Sequence, residues 1–124
     1  MNLSDCWKGL HHLGVSLIEL KRFEEALLIY NQILESELNA YDALVFRGIA
    51  LQSLESFEEA LIDFDRAIAH SSDSPYVWYE RGMTLYKLGR LPETLASIDI
   101  AIEIQPDYLK ALLLRGIVLL EQKR

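Results

Sequence analysis

Apolar residues return every three or four positions along this chain, the spacing of one helix face, and nowhere settle into the alternation of a half-buried strand. Leu44, Gly48 and Leu51 mark one stripe, and Phe57, Leu61, Phe64 and Ile68 mark the next. Between them Leu54-Glu55-Ser56 breaks the pattern, so the segment predicts two amphipathic helices joined by a short turn. Similar breaks fall at Leu20 to Arg22 and Leu88 to Arg90, where Gly89 can take a positive φ. Links between the helix pairs hold Asn39, Ser74-Pro75 and Pro106-Asp107, and Ser74 followed by proline reads as a helix cap and first helical position.

The pairs repeat with a fixed period. Glycines stand at Gly14, Gly48, Gly82 and Gly116, each 34 residues after the last (48 − 14, 82 − 48, 116 − 82), and Leu17, Leu51, Leu85 and Leu119 follow three residues later. Four before each glycine stand Leu10, Leu44, Trp78 and Leu112, while sixteen after the first three stand Tyr30, Phe64 and Ile98. Arginine precedes three of the four, as Arg47, Arg81 and Arg115. Such self-similarity is the mark of stacked supersecondary units, none of which buries its apolar face alone. The register divides a single domain of 124 residues into repeats 7–40, 41–74 and 75–108 and a terminal helix 109–124, seven helices in all.

With its large apolar, Gly, Ala, aromatic, Ala and Pro slots in that order, the 34-residue unit resembles the tetratricopeptide repeat. The third repeat carries the likeness best, through Trp78, Gly82, Leu85, Gly89, Ala101 and Pro106, although Thr94 replaces the alanine and Ile98 the aromatic. In the second, Leu44, Gly48, Ala60, Phe64 and Ala67 match and Ser72 stands in the proline slot. The resemblance covers residues 7 to 124. It implies an all-α fold, a right-handed superhelical stack of antiparallel helix hairpins, with Gly and Ala where paired helices cross.

In such an array the first helices line a concave groove. By resemblance, the groove slots fall on His11, Val15 and Ile18 in the first helix and on Val45, Ile49 and Gln52 in the third, with Phe46 at the edge. The fifth helix contributes Tyr76, Tyr79, Met83 and Tyr86. This face is apolar and aromatic, which predicts a protein or peptide partner bearing bulky apolar side chains on a helix or an extended segment. The family also includes clamps for the C-terminal carboxylate of chaperone peptides. Their slots fall here on His11, Val15, Phe46, Tyr76 and Glu80, or one repeat later on Val45, Ile49, Glu80, Lys110 and Leu114. Lys110 alone has the right charge, and Glu80 would repel a carboxylate, so that ligand is not expected.

Composition sharpens the functional class. Apolar residues make up 51% and charged residues 25%, ordinary values for a folded globular chain. Twelve Lys and Arg against nineteen Asp and Glu leave a net charge of −7, the wrong sign for tracking nucleic acid or an anionic membrane. No apolar run approaches the roughly 18 residues of a membrane span, and the start lacks a secretory pattern, so a cytoplasmic protein is expected. Cys6 is the single cysteine and has no activating cluster nearby in sequence, while His11-His12 point in different directions on a helix. Glu24-Glu25 and Glu58-Glu59 recur with the repeat as helix-start residues. An enzyme, a metal site and a cofactor are therefore not expected. The terminal helix is apolar nearly all round, and Leu113, Leu114, Ile117 and Leu120 form a candidate dimer surface, making self-assembly the alternative to an adaptor role.

Overall fold

The computed structural model describes the backbone of residues 3–123 and the side chains of residues 7–123. Among the described residues there are seven helices and no strand: α1 (Leu3–Glu19), α2 (Phe23–Ser36), α3 (Tyr41–Ser53), α4 (Phe57–His70), α5 (Pro75–Lys87), α6 (Leu91–Ile104) and α7 (Leu109–Gln122). The chain is all-α, as its periodicity requires. It divides into two compact units, Met1–His70 and Ser71–Arg124. In the first, α1 pairs with α2 and α3 with α4, and α2 packs on α3. In the second, α5 pairs with α6, and α7 packs on α6.

Close approach at the periodic glycines holds each hairpin together. A methyl group built on Gly14 would lie 2.6 Å from the ring of Tyr30, one on Gly48 2.7 Å from Phe64, and one on Gly82 2.8 Å from Ile98. Carbon atoms prefer separations of about 3.5–4.0 Å, so no side chain larger than hydrogen fits without displacing the side chain that faces it. Tyr30, Phe64 and Ile98 are in turn fully buried, as are Ala26, Ala60 and Thr94 one turn earlier. Thr94 satisfies its hydroxyl by donating to the Arg90 carbonyl at 2.8 Å, so it can replace the alanine without a buried polar cost.

The arginine before the glycine ties the same helices together by charge. Arg47 donates from Nε and Nη2 to both oxygens of Asp63, at 2.7 and 2.8 Å, and from Nη1 to Asn31 at 3.1 Å. Asp63 is 2% exposed, and its carboxylate is accommodated because this two-pronged bond replaces water. Arg81 makes the equivalent bond to Ser97, which is also buried. In α7, Arg115 reaches back to Asp99 at 3.0 Å.

The turns within the hairpins are built alike. Lys21, Glu55 and Gly89 have φ of 61°, 65° and 76°, and the next amide donates back to Leu17, Leu51 and Leu85 at 2.8, 2.8 and 3.0 Å. The positive φ anticipated at Gly89 is present, and the same left-handed conformation is imposed on two side-chain-bearing residues. Between repeats, Ser74 accepts from the Val77 amide at 3.4 Å with Pro75 opening α5, as the sequence predicts. Glu24, Glu25, Glu58, Glu59 and Glu93 occupy the first turns of the second helices, where the positive end of the helix dipole favours them.

The packing of α7 corrects one expectation. Ala111, Leu114 and Val118 form its buried face, joined in one cluster with Tyr79, Ile98 and Ala101. Leu114, 3% exposed, is thus core and not dimer surface. Leu112 is 41% exposed and Gly116 meets nothing within 4 Å, so they are not the face that packs on the third repeat. The reason lies in the register: Gly14, Gly48 and Gly82 each face the helix that follows their own, and Gly116 points the same way.

Gly48→Leu should lose at least about 2 kcal/mol in a denaturant melt, because overpacking there separates two helices. Gly116→Leu should stay within about 0.5 kcal/mol of the parent or gain slightly, since leucine is the better helix former. Equal effects at the two sites would mean that the glycine register is wrong. In the turns, Gly89→Ala should lose about 1 kcal/mol and Glu55→Gly should gain about 0.5 kcal/mol, as relief of the left-handed strain outweighs glycine's entropy. Thermal melts in which both changes move stability the same way would overturn that reading.

Candidate functional site

The expected groove residues lie on α1 and α3 in the first unit and on α5 in the second, and each set belongs to an aromatic surface of its own unit. On α1, His11, Val15 and Ile18 are half-buried; on α3, so are Phe46, Ile49 and Gln52. The ring of His11 sits edge-on to Phe46 at 5.2 Å and to Tyr30 at 5.9 Å, and Phe46 stacks on Tyr30 at 6.2 Å with 15° between the planes. Tyr30 of α2, fully buried, floors the cluster, and its hydroxyl donates to the His11 carbonyl at 3.4 Å. Trp7, one turn before His11 with ring centroids 6.2 Å apart, belongs to the same surface. The slot pattern missed it, yet its position four residues before His11 on one helix was the available signal.

Partial burial holds the His11 imidazole below its ordinary pKa; Asp42 opposes the shift and His12 adds to it. The ring is therefore neutral at pH 7 and serves as aromatic surface. Among the described residues no further ligand joins the His11-His12 pair. Among the described residues no three His, Cys, Asp or Glu side chains gather in a metal-binding arrangement. Glu25 is held by an exposed ion pair with Arg22, and the Cys6 side chain lies outside the described residues.

On α5, Tyr76 is 38% exposed and Met83 and Tyr86 are half-buried. Tyr86 donates its hydroxyl to Glu121 of α7 at 2.6 Å, and Tyr108 packs edge-on to Tyr79 at 5.7 Å. Burial raises the phenol pKa of Tyr76, Tyr79 and Tyr108, with the Glu80 carboxylate adding to each, while for Tyr86 the bond to Glu121 is the main cause. All four remain neutral hydrogen-bond donors at pH 7. Glu121 falls on a groove slot of the fourth unit by the same register, whereas Tyr108, just before α7, was not among the expected groove residues.

Two expected groove residues offer little to a partner. Val45 is 3% and Tyr79 8% exposed. Within the units α1 packs alongside α3 and α7 alongside α5, and this covers slots that a lone helix would present. Of the expected dimer surface, Leu113, Ile117 and Leu120 are exposed, at 62%, 46% and 63%. No helix of the described residues is long and apolar enough to cross a membrane.

No curated protein matches the chain by sequence. Among solved structures, it resembles the first repeat domain of Spaghetti (RPAP3) bound to the HSP90 peptide SRMEEVD, at a TM-score of 0.91 and 18% identity over 95% of this chain and 94% of that one. The Yersinia enterocolitica type III secretion chaperone SycD, in complex with a peptide of the translocator YopD, gives 0.87 and 13% identity over 95% of each chain. MamA (41-end) from Desulfovibrio magneticus RS-1 gives 0.90 and 17% identity over 94% of this chain, which spans 66% of that one. At these identities the likeness is one of fold. The family model of the tetratricopeptide repeat matches residues 11–75 and 79–124, and its period is the one set by Gly14, Gly48, Gly82 and Gly116. This chain belongs to the tetratricopeptide repeat family.

Proposed function

We infer that this chain is a noncatalytic interaction module that captures an apolar helix or extended segment of another protein on its first-helix surfaces. One observation carries the reading: half-exposed aromatic and apolar side chains, His11, Phe46 and Ile49 in one unit and Tyr76, Met83 and Tyr86 in the other, gather on the faces that the family uses for peptides. Aromatic side chains supply large contact area at low entropic cost and are enriched among residues that dominate binding energy. Two structural relatives hold peptides, of HSP90 and of YopD.

The ligand chemistry differs from a carboxylate clamp. The slots that would grip a terminal carboxylate carry His11, Val15, Phe46, Tyr76 and Glu80, or one repeat later Val45, Ile49, Glu80, Lys110 and Leu114; Lys110 is the single fixed cation among them, and Glu80 is acidic. The partner therefore presents apolar side chains and not a charged chain end. The competing reading, self-assembly, draws on the exposure of Leu113, Ile117 and Leu120. A light-scattering mass that stays monomeric with rising concentration favours the adaptor, and a reversible dimer favours self-assembly.

Tyr76→Ala with Tyr86→Ala should weaken capture of a partner recovered by pulldown at least about tenfold, with the circular dichroism of the parent, since aromatic hot spots contribute about 2 kcal/mol or more. Tyr79 is left intact because it is core. Undiminished capture by the folded double variant would place the site elsewhere. The peptide SRMEEVD, which occupies the RPAP3 domain, should show no saturable binding in a titration to about 1 mM. A dissociation constant below about 100 μM would overturn the exclusion of a carboxylate ligand.

A further inference from the structure

The helices of the first unit leave a cleft between α2 and α4. Both pack on α3, and among the described residues they do not pack on each other. Two cavities, of about 290 and about 400 Å³, adjoin in this gap and share Asn31, Arg47 and Arg66. Leu27 and Ile62 line the first, and Leu34 and Leu38 the second. Ile62 is 58% and Leu38 65% exposed, so each cavity opens apolar surface to solvent. Stacked repeats touch only their neighbours, so a repeat added at either end of the chain would leave this cleft open. The cleft has no residue in common with the aromatic surface of Trp7, His11 and Phe46.

The three side chains shared by the cavities are donors. Arg47 spends its fork on Asp63 and donates from Nη1 to the Asn31 oxygen at 3.1 Å, which leaves the amide N–H groups of Asn31 over. Arg66 gives one N–H to the Leu38 carbonyl at 2.9 Å and, among the described residues, has no carboxylate in ion-pair distance. Two repeats on, the position of Asn31 is held by Asp99, whose carboxylate meets Arg115 at 3.0 Å. In the cleft that negative charge is missing and a second guanidinium is added, since Gln32 and Ile100 stand 34 residues to either side of Arg66. A half-buried guanidinium between apolar walls is matched by a carboxylate, which it holds with two charge-assisted bonds. Glu35 and Glu59, also in the lining, repel a run of acidic residues but tolerate one carboxylate flanked by apolar neighbours.

We propose that this cleft is a second docking site, for an extended segment of another protein in which one acidic residue stands between two bulky apolar residues, each two positions away. The carboxylate seats on Arg66 and the Asn31 amide, and the apolar side chains enter the two cavities. Side chains two apart share a face of an extended chain, and four steps span about 14 Å. Along α2 and its end, Leu27 to Leu38 is a distance of about 16 Å, so the segment fits the length of the cleft.

The probe is a capped peptide, leucine-threonine-glutamate-threonine-leucine between glycine-serine ends, titrated into the isotope-labelled full chain and followed by NMR. Saturable shifts with a dissociation constant of about 500 μM or tighter are expected, centred on the Asn31 side-chain amide and the Arg66 Nε–H. Glutamine for the glutamate of the peptide, or Ile62→Ser in the protein, should weaken binding at least about fivefold, while Tyr76→Ala with Tyr86→Ala should leave it unchanged. Arg66→Glu should reject this peptide and take its lysine counterpart, a reversal that mere loss of the bond to Leu38 would not produce. Circular dichroism checks that each variant is folded. Absence of saturation at about 5 mM peptide, equal binding of the glutamate and glutamine peptides, or shifts confined to the surface of His11 and Phe46 would overturn the proposal. So would tighter binding of the lysine peptide by the parent chain, which would give the cleft to Glu35 and Glu59, or a wild-type dimer that Arg66→Glu dissolves, because a second copy would then fill it.

Discussion

The absence of a side chain at one point in each hairpin governs how the helices of this protein lie together. At Gly14, Gly48 and Gly82 the facing residue, Tyr30, Phe64 or Ile98, occupies space that a β-carbon would need. Packed helices lie about 8–10 Å apart, and a side chain at the notch would push such a pair apart. The flanking alanines at Ala26, Ala60, Ala67 and Ala101 are fully buried, and larger residues there would wedge the pair open. The remaining apolar residues of the first helices are thereby free to form the outer, aromatic surfaces.

Electrostatics refine this arrangement. An isolated carboxylate at the burial of Asp63 would be costly, and Arg47 makes it tolerable by a planar, two-bonded contact that a lysine could not reproduce. The bond also fixes rotation: it forms only when Gly48 faces Phe64, because the arginine and the aspartate are the immediate neighbours of those two residues in sequence. The exposed pairs Arg22–Glu25 and Arg90–Glu93 sit within one helix turn, contribute little to stability and fix nothing between helices.

Most of the fold could be read from sequence because its determinants recur at a constant step and act locally. Glycine spacing located the crossings, and breaks in apolar periodicity located the turns. The left-handed residues were less legible. Gly89 announced itself, while Lys21 and Glu55 occupy the same backbone state with side chains that do not advertise it, and only the 34-residue step from Gly89 points to them. For the surface, register told which residues stand on the first helices but not how deeply a neighbouring helix covers them. Val45, Tyr79 and Leu114 are buried for that reason. The role of Tyr108 depends on a contact across 29 residues, beyond any local pattern.

The identical turns have a consequence for how such a chain can change length. Lys21 and Glu55 have nearly the same φ, and the amide after each returns to a leucine five residues back at the same 2.8 Å. Excision of residues 22–55 would therefore join Lys21 to Ser56 through the same left-handed turn that Lys21 and Glu55 each form now. The new hairpin would pair α1 with α4, sixteen residues would again separate Gly14 from its aromatic, and Phe64 would enter the notch that Tyr30 now fills. Genetic gain or loss of whole 34-residue blocks is in this sense nearly silent to the backbone, whereas a change of any other length would set glycine against the wrong side chain.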